Sequence, residues 1–265
     1  AATDAGGPSG ASRSPTSMAT ALPYNVDFVD VGCGYGSLLI ALARAFPSNV
    51  CLGIEIRPKV VEYVQKRVLA LRAEARRGSD RAHADVDDAV VACGAAAYEN
   101  AWAIHNNAMR FMPNFFAKGQ LSKLFFCFPD PHFKRKNHRK RIISAPLVAE
   151  FAYCLCKHGV IYIITDVSEL MEWMVRYLTE STLFERLSRS ALKADPVVPL
   201  LIATDEGLKV QRFNGNMFIA AFIKRDDPSL PREPPPLLGN DEAAAAAEDA
   251  GYTPKAGGEL RGNTW

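Results

Sequence analysis

The sequence predicts a doubly wound α/β domain: a mostly parallel seven-stranded sheet closed by an antiparallel C-terminal hairpin. Three observations carry that expectation. Short apolar runs alternate with helical patterns from residue 26 onward, the first run ends in clustered glycines, and an Asn-Gly turn separates the last two runs. VDFVDVG (26–32) is a buried strand, and Leu38, Leu39, Leu42 and Phe46 then recur on one helical face. NVCLGIEI (49–56) is the second strand. Pro58, whose fixed φ suits a first helical turn, opens a long helix through about Arg77. AWAIHNN (101–107), KLFFCF (123–128) and VIYIITD (160–166) read as strands three to five, with helices from about Ala145 to Lys157 and Glu169 to Thr182 separating or following the last two. LKVQRF (208–213), the turn Asn214-Gly215 and MFIAAFIKR (217–225) read as the closing pair.

A chain of 265 residues with 48% hydrophobic content suits one such domain, here 26–225, with tails. Residues 1–25 are rich in Ala, Ser, Thr, Gly and Pro. Residues 226–265 crowd five prolines into 228–236 before an alanine run, so both ends are expected to be disordered. Residues 73–98 show no clear period and read as an insertion. No apolar run approaches the ~20 residues of a bilayer-spanning helix and the start has no apolar signal core, which excludes membrane and secreted readings. Six scattered cysteines without a C-x₂-C pair point to free thiols in a reducing compartment and to no metal site. The net charge of +2 divides into +7 on residues 1–225 and −5 on the acidic tail, so the body leans toward a polyanionic partner.

In open parallel sheets ligands bind beyond the carboxyl ends of the strands, and the unusual residues sit there. Asp30-Val31-Gly32-Cys33-Gly34-Tyr35-Gly36 follows strand one, its glycines allowing a tight turn and close approach to a ligand. The spacing is G-x-G-x-G and lacks the G-x-G-x-x-G that seats a pyrophosphate. Glu55 ends strand two, nineteen residues after Gly36, placed to accept from a ribose diol. Such an acid serves dinucleotide and S-adenosylmethionine sites alike; with the glycines and the antiparallel end it favours the methyl donor. Strand four ends in Phe128-Pro129-Asp130-Pro131-His132-Phe133, where two prolines stiffen the loop and fix the direction of Asp130. Next stand Lys134, Arg135, Lys136, Arg139, Lys140 and Arg141, six fixed charges in eight positions, a candidate phosphate-binding strip.

At DVGCGYG, GIEIRPKVVEYV, NNAMRFMPNFFAKGQL, FPDPHFKRKNHRKRII, ITDVSELMEWM and ATDEGLKV the sequence resembles the tRNA (guanine-N7)-methyltransferase family, in particular its eukaryotic catalytic subunit. The resemblance runs from about Phe28 to Arg225, and residues 1–25 do not share it. It implies a Rossmann-like class I methyltransferase fold and S-adenosyl-L-methionine as cofactor. Cofactor contacts are implied from Gly32 in the glycine loop, Glu55 and Arg57 in GIEIR, Asn107 and Ala108 in NNAM, and Cys127 before the FPDP turn. Gly34 belongs to the same glycine loop. Asp130 is implied as the catalytic residue, with Thr204 and Glu206 in TDEG near cofactor and substrate. The substrate implied is a guanine in the tRNA variable loop, the partner a non-catalytic WD-repeat β-propeller, and the location the nucleus.

Guanine N7 carries a lone pair and no proton, so methyl transfer to it needs alignment rather than a general base, with the reacting atoms held ~3–3.5 Å apart. Asp130 suits orientation of the guanine N1–H and N2–H₂ edge and stabilisation of the cationic product ring. An adenine-N6 methyltransferase is the nearest alternative, although Asp130-Pro131-His132 breaks its D-P-P-[YF] loop. A nicotinamide-dependent oxidoreductase shares the sheet and the strand-two acid but gives no reason for FPDPHFKRK. A binding module with a degenerate site would retain the strip and lose cofactor affinity.

Overall fold

The computed structural model describes residues 25–82 and 98–226, so the expectations for the two termini and for most of the 73–98 segment lie outside the described residues. The elements run β1 (Val26–Val31), α1 (Ser37–Ala45), β2 (Val50–Glu55), α2 (Pro58–Ala82), β3 (Ala101–His105), α3 (Ala108–Phe115) and β4 (Leu121–Cys127). A 3₁₀ turn (Arg135–Lys140) precedes α4 (Ala145–Cys154), β5 (Leu155–Thr165), α5 (Ser168–Glu180), β6 (Phe184–Arg186), α6 (Arg189–Ala194), α7 (Val198–Ile202), α8 (Asp205–Arg212) and β7 (Phe218–Lys224). The seven strands lie in the order β3-β2-β1-β4-β5-β7-β6. The first five are parallel, and β7 runs antiparallel to both β5 and β6. The chain winds outward from β1 to β3 and then returns to β4 on the other side of β1. That reversal opens a crevice beyond the carboxyl ends of β1 and β4.

Side-chain alternation along the central strands builds two cores. Val29, Val31, Leu124, Phe126, Ile161 and Ile163 pack with residues of α3, α4 and α5. Phe28, Phe125, Tyr162 and Ile164 pack with residues of α1, α2 and α7. Phe126 meets Phe151 with ring centroids 4.9 Å apart, and Phe125 stacks on Tyr162 at 5.1 Å. Truncating a buried ring such as Phe126 to Ala would cost about 3–5 kcal/mol. Among the described residues no helix is long and apolar enough to cross a membrane.

Several expected elements change. LKVQRF is helical, not a strand: its period-two alternation is overridden by Thr204, whose side chain accepts from Gly207 N–H and caps α8, and by Asp205 and Glu206 in the first turn. Asn214-Gly215 therefore ends a helix instead of turning a hairpin. Asn214 takes φ 52° and Gly215 N–H returns to Val210 O at 2.9 Å. The antiparallel neighbour of β7 on the sheet's edge is instead β6, separated from it in sequence by three short helices. Between β3 and β4, where the sequence reading has no helix, α3 forms with Pro113 inside it, capped by Asn107, which accepts from Met109 N–H. The helix expected to reach Lys157 stops at Cys154, since Leu155 already pairs with Leu121. The chain then bulges through His158, at φ 58°, before pairing resumes at Val160. α2 continues beyond Arg77 to Ala82, into the segment read as an insertion.

Candidate active site

The glycine loop leaves β1 with Gly32, Gly34 and Gly36 at φ 76°, 52° and 79°. A Cβ on Gly32 or Gly34 would meet nothing within 4 Å, so these two supply the backbone sign and leave open space. At Gly36 a Cβ would stand 2.8 Å from Val64 Cγ1, so close packing of α2 also demands glycine. Gly32 N–H donates to Ile54 O (2.7 Å) and Gly34 N–H to Glu55 Oε2 (3.2 Å), tying the loop to the end of β2.

Two buried carboxylates lie under this loop. Asp30 is buried, and its Oδ1 has no hydrogen-bond partner among the described residues. Burial, reinforced by the charge of Glu55, pushes its pKa up to about 7. Glu55 also is buried, but its carboxylate accepts from Gly34 N–H and from Arg57 N–H (3.0 Å), Nε (3.0 Å) and Nη2 (3.2 Å). Burial alone would raise its pKa; the Arg57 side chain, backbone and charge together with Gly34 outweigh it, and Glu55 lies below its ordinary value. All four acceptor positions of this carboxylate are thus engaged, three of them by one residue whose side chain is 59% exposed.

Two adjoining cavities of about 530 and 510 Å³ fill the crevice and share a wall of Gly32, Arg57, Cys127, Phe128 and Pro129. The first is lined also by Asp30, Gly34, Phe133, Asp166, Thr204 and Glu206. The second is lined by Glu55, Asn107, Ala108, Asp130, His132 and Lys140. The candidate cofactor residues therefore converge on one crevice, drawn from the ends of β1, β2, β3 and β4 and from the start of α8. Cys127 lies on the shared wall, and burial holds its thiol well above the ordinary value. An orphaned carboxylate oxygen at the wall, a glycine cradle without Cβ atoms and several acids around the cavity suit an elongated ligand with a cationic centre. Among the described residues no cluster of His, Cys, Asp and Glu forms that could hold a metal ion.

The loop after β4 is held in an unusual backbone conformation. Phe128 (φ 48°) and His132 (φ 47°), neither of them glycine, bracket Asp130 in the left-handed region. Phe128 N–H donates to Ile164 O (2.8 Å), and Asp130 Oδ1 accepts from His132 N–H (2.9 Å) while its side chain stays 71% exposed. Beyond it, Lys134, Arg135, Lys136, Arg139 and Lys140 are exposed on and beside the 3₁₀ turn. None of the five forms an ion pair among the described residues. Arg141 corrects the expected strip: it is 1% exposed, directed inward, and is no part of the exposed phosphate-facing surface. Two residues on, Ile143 is fully buried in the core and its carbonyl accepts from Trp173 Nε1–H, so the chain enters the body at this point.

Two crevice residues were not singled out from the sequence. Asp166 directly follows β5 and Asp30 is the next-to-last residue of β1, each an acid at the carboxyl end of an apolar strand, which is the signal that could have found it. Ser37 accepts from Asp205 N–H (3.2 Å), fastening α8 to the glycine loop, a contact between distant residues that no local pattern announces.

A family model described as "Putative methyltransferase" matches residues 24–220. The chain is 47% identical over 206 residues to a tRNA (guanine-N(7)-)-methyltransferase of Caenorhabditis elegans, covering 77% of this chain and 74% of that protein. A protein of the same name from Arabidopsis thaliana is 49% identical over 198 residues, covering 74% and 72%. One from Bombyx mori is 47% identical over 206 residues, covering 77% and 79%.

Proposed function

The chain belongs to the tRNA (guanine-N7)-methyltransferase family, and from that premise we propose that it transfers a methyl group from S-adenosylmethionine to N7 of a guanine in the variable loop of tRNA. The observation that carries this reading is the position of Asp130, at the mouth of a buried acidic crevice on one side and the start of an exposed cationic strip on the other. A donor and a polyanionic acceptor would meet at that border.

Bound in the crevice, the cofactor supplies an electrophilic methyl group on a sulfonium. Glu55, Asn107, Ala108 and the Cys127 backbone would hold its adenosine part in the second cavity. Asp30, Gly34, Thr204 and Glu206 would surround its amino-acid part in the first. A donor spanning both cavities would have its sulfonium near the shared wall, which includes Phe128 and Pro129 before Asp130. Glu55 can take up a ribose diol only if the Arg57 guanidinium withdraws, and that half-exposed side chain is free to do so while its N–H stays bonded.

Asp130 acts on the base. Its carboxylate accepts from the guanine N1–H and N2–H₂ edge, which orients N7, and gains interaction as positive charge passes to the ring. No proton leaves N7, so no group in the crevice need act as a base. Lys134, Arg135, Lys136, Arg139 and Lys140 hold phosphates flanking that guanine.

The resemblance to the eukaryotic catalytic subunit supports a nuclear location and a non-catalytic WD-repeat β-propeller partner. So does charge: a folded tRNA carries dozens of phosphates, and five exposed cations neutralise few of them. Labelled donor incubated with total tRNA, followed by nucleoside analysis, tests the activity. Label in N7-methylguanosine is expected; label in N6-methyladenosine would replace this reading by the adenine alternative. Addition of the propeller should lower the KM for tRNA with little change in kcat.

A further inference from the structure

Besides Asp30 Oδ1, the buried side-chain atoms without a hydrogen-bond partner among the described residues are His138 Nε2 and Arg141 Nη1. Both side chains pack against the Trp173 ring and approach Glu169. Arg141 is among the largest fully buried side chains, in a segment whose other cations face solvent. A guanidinium is removed from water at high cost, so its partners must be well placed.

Those partners are specific. Arg141 Nε–H donates to Pro131 O (2.8 Å), the carbonyl directly after Asp130. Nη2 donates to Glu169 Oε1 (2.8 Å), in the first turn of α5. The guanidinium carbon lies 4.6 Å from the Trp173 ring centroid, and that indole is fixed by its bond to Ile143 O. His138 packs edge-on against the same ring at 5.4 Å. The loop thus has two anchors: Phe128 N–H on β5 before Asp130, and Arg141 on Pro131 after it. The two left-handed residues sit at these anchors, Phe128 at the first and His132 directly after the second, and their unusual dihedrals persist because the chain is held at both points.

We propose that Arg141 is a positioning residue for methyl transfer: braced by Glu169 and Trp173, it pins the Pro131 carbonyl and so fixes where the Asp130 carboxylate stands. The proposal rests on the reading of Asp130 as the group that faces the guanine. Lys cannot reproduce the planar fork that reaches a carbonyl and a carboxylate at once.

The test uses the full chain with tRNA. Arg141→Lys should leave the S-adenosylmethionine Kd within about twofold and the tRNA KM within about threefold, while kcat falls on the order of a hundredfold, the scale of an ångström misplacement. Combined with Asp130→Ala, Arg141→Lys should add almost nothing, because both act through one carboxylate. A raised KM at unchanged kcat would make Arg141 an RNA contact and overturn the proposal. So would an equal loss of turnover in the Asp130→Ala background. If Asp130→Ala alone left kcat intact, it is the reading of Asp130 that would fail, separately from these outcomes. Should Arg141→Lys not fold, Glu169→Gln decides, since that carboxylate is 59% exposed. A severalfold loss of kcat at constant KM supports the brace, and unchanged kcat overturns it.

Discussion

The two walls of the crevice are built on opposite principles. On the β1–β2 side, acids are buried, the backbone is shaped by glycines, and Glu55 has every acceptor position filled. On the β4 side, the acid is 71% exposed, the left-handed positions are Phe128 and His132, and the neighbouring cations face solvent. The difference teaches how one site serves a small cofactor and a large polyanion. The first wall is held by its own internal bonds and has only the Arg57 guanidinium to release for a ligand, whereas the second leaves its carboxylate open to solvent.

The comparison breaks most visibly at the exposed acid. Asp130→Ala should lower turnover about 10²–10³-fold, the scale of losing one preorganised electrostatic group, with cofactor affinity by calorimetry unchanged. Parallel loss of both would assign Asp130 to the donor wall.

The buried acid should respond in stability. Asp30 keeps its proton in the folded state up to about pH 7, while the unfolded chain loses it near 3.8. Stability should therefore fall as pH rises from about 4 to about 7 and level off above, by up to roughly 4 kcal/mol. Asp30→Asn should raise the melting temperature at pH 8, remove this slope and weaken cofactor binding. A pH-independent wild type would show that Asp30 is ionised throughout.

Glu55→Ala should weaken S-adenosylmethionine by ~1.5–3 kcal/mol, the range for hydrogen bonds to a charged group, without altering tRNA affinity. An unaltered Kd would mean that Arg57 keeps Glu55 occupied in the complex. The smallest effect belongs to the strip. Replacing Lys134 and Arg135 by Ala should weaken all tRNAs alike and reduce the salt slope by about one for each phosphate no longer neutralised, measured by filter binding at several ionic strengths. A weakening confined to one tRNA would mean that these residues recognise shape.

Much of this contrast was legible in the sequence where local signals and tertiary needs agree. The strand–glycine and strand–FPDP junctions are such places, and the crevice gathers the residues they contain. LKVQRF misled because alternation is a statement about burial on two faces, while Thr204 and its following acids act on the backbone itself. Arg141 misled for the converse reason: as one of six cations in a run it carries no local mark of being buried, and the residues that draw it inward, Glu169 and Trp173, lie on a helix further along the chain. Asp166 could have been found by treating every acid at a parallel strand's end alike.

The partly buried position of Cys127 has a chemical consequence for selectivity. A thiolate attacks a sulfonium methyl more readily than a ring nitrogen does, so an ionised sulfur on the shared wall would be alkylated by the donor itself. Holding the thiol far above its ordinary pKa keeps it protonated and a poor nucleophile. With the donor bound as proposed, the wall that shapes the crevice would thereby spare the protein from consuming its own methyl donor, leaving each donor methyl for RNA.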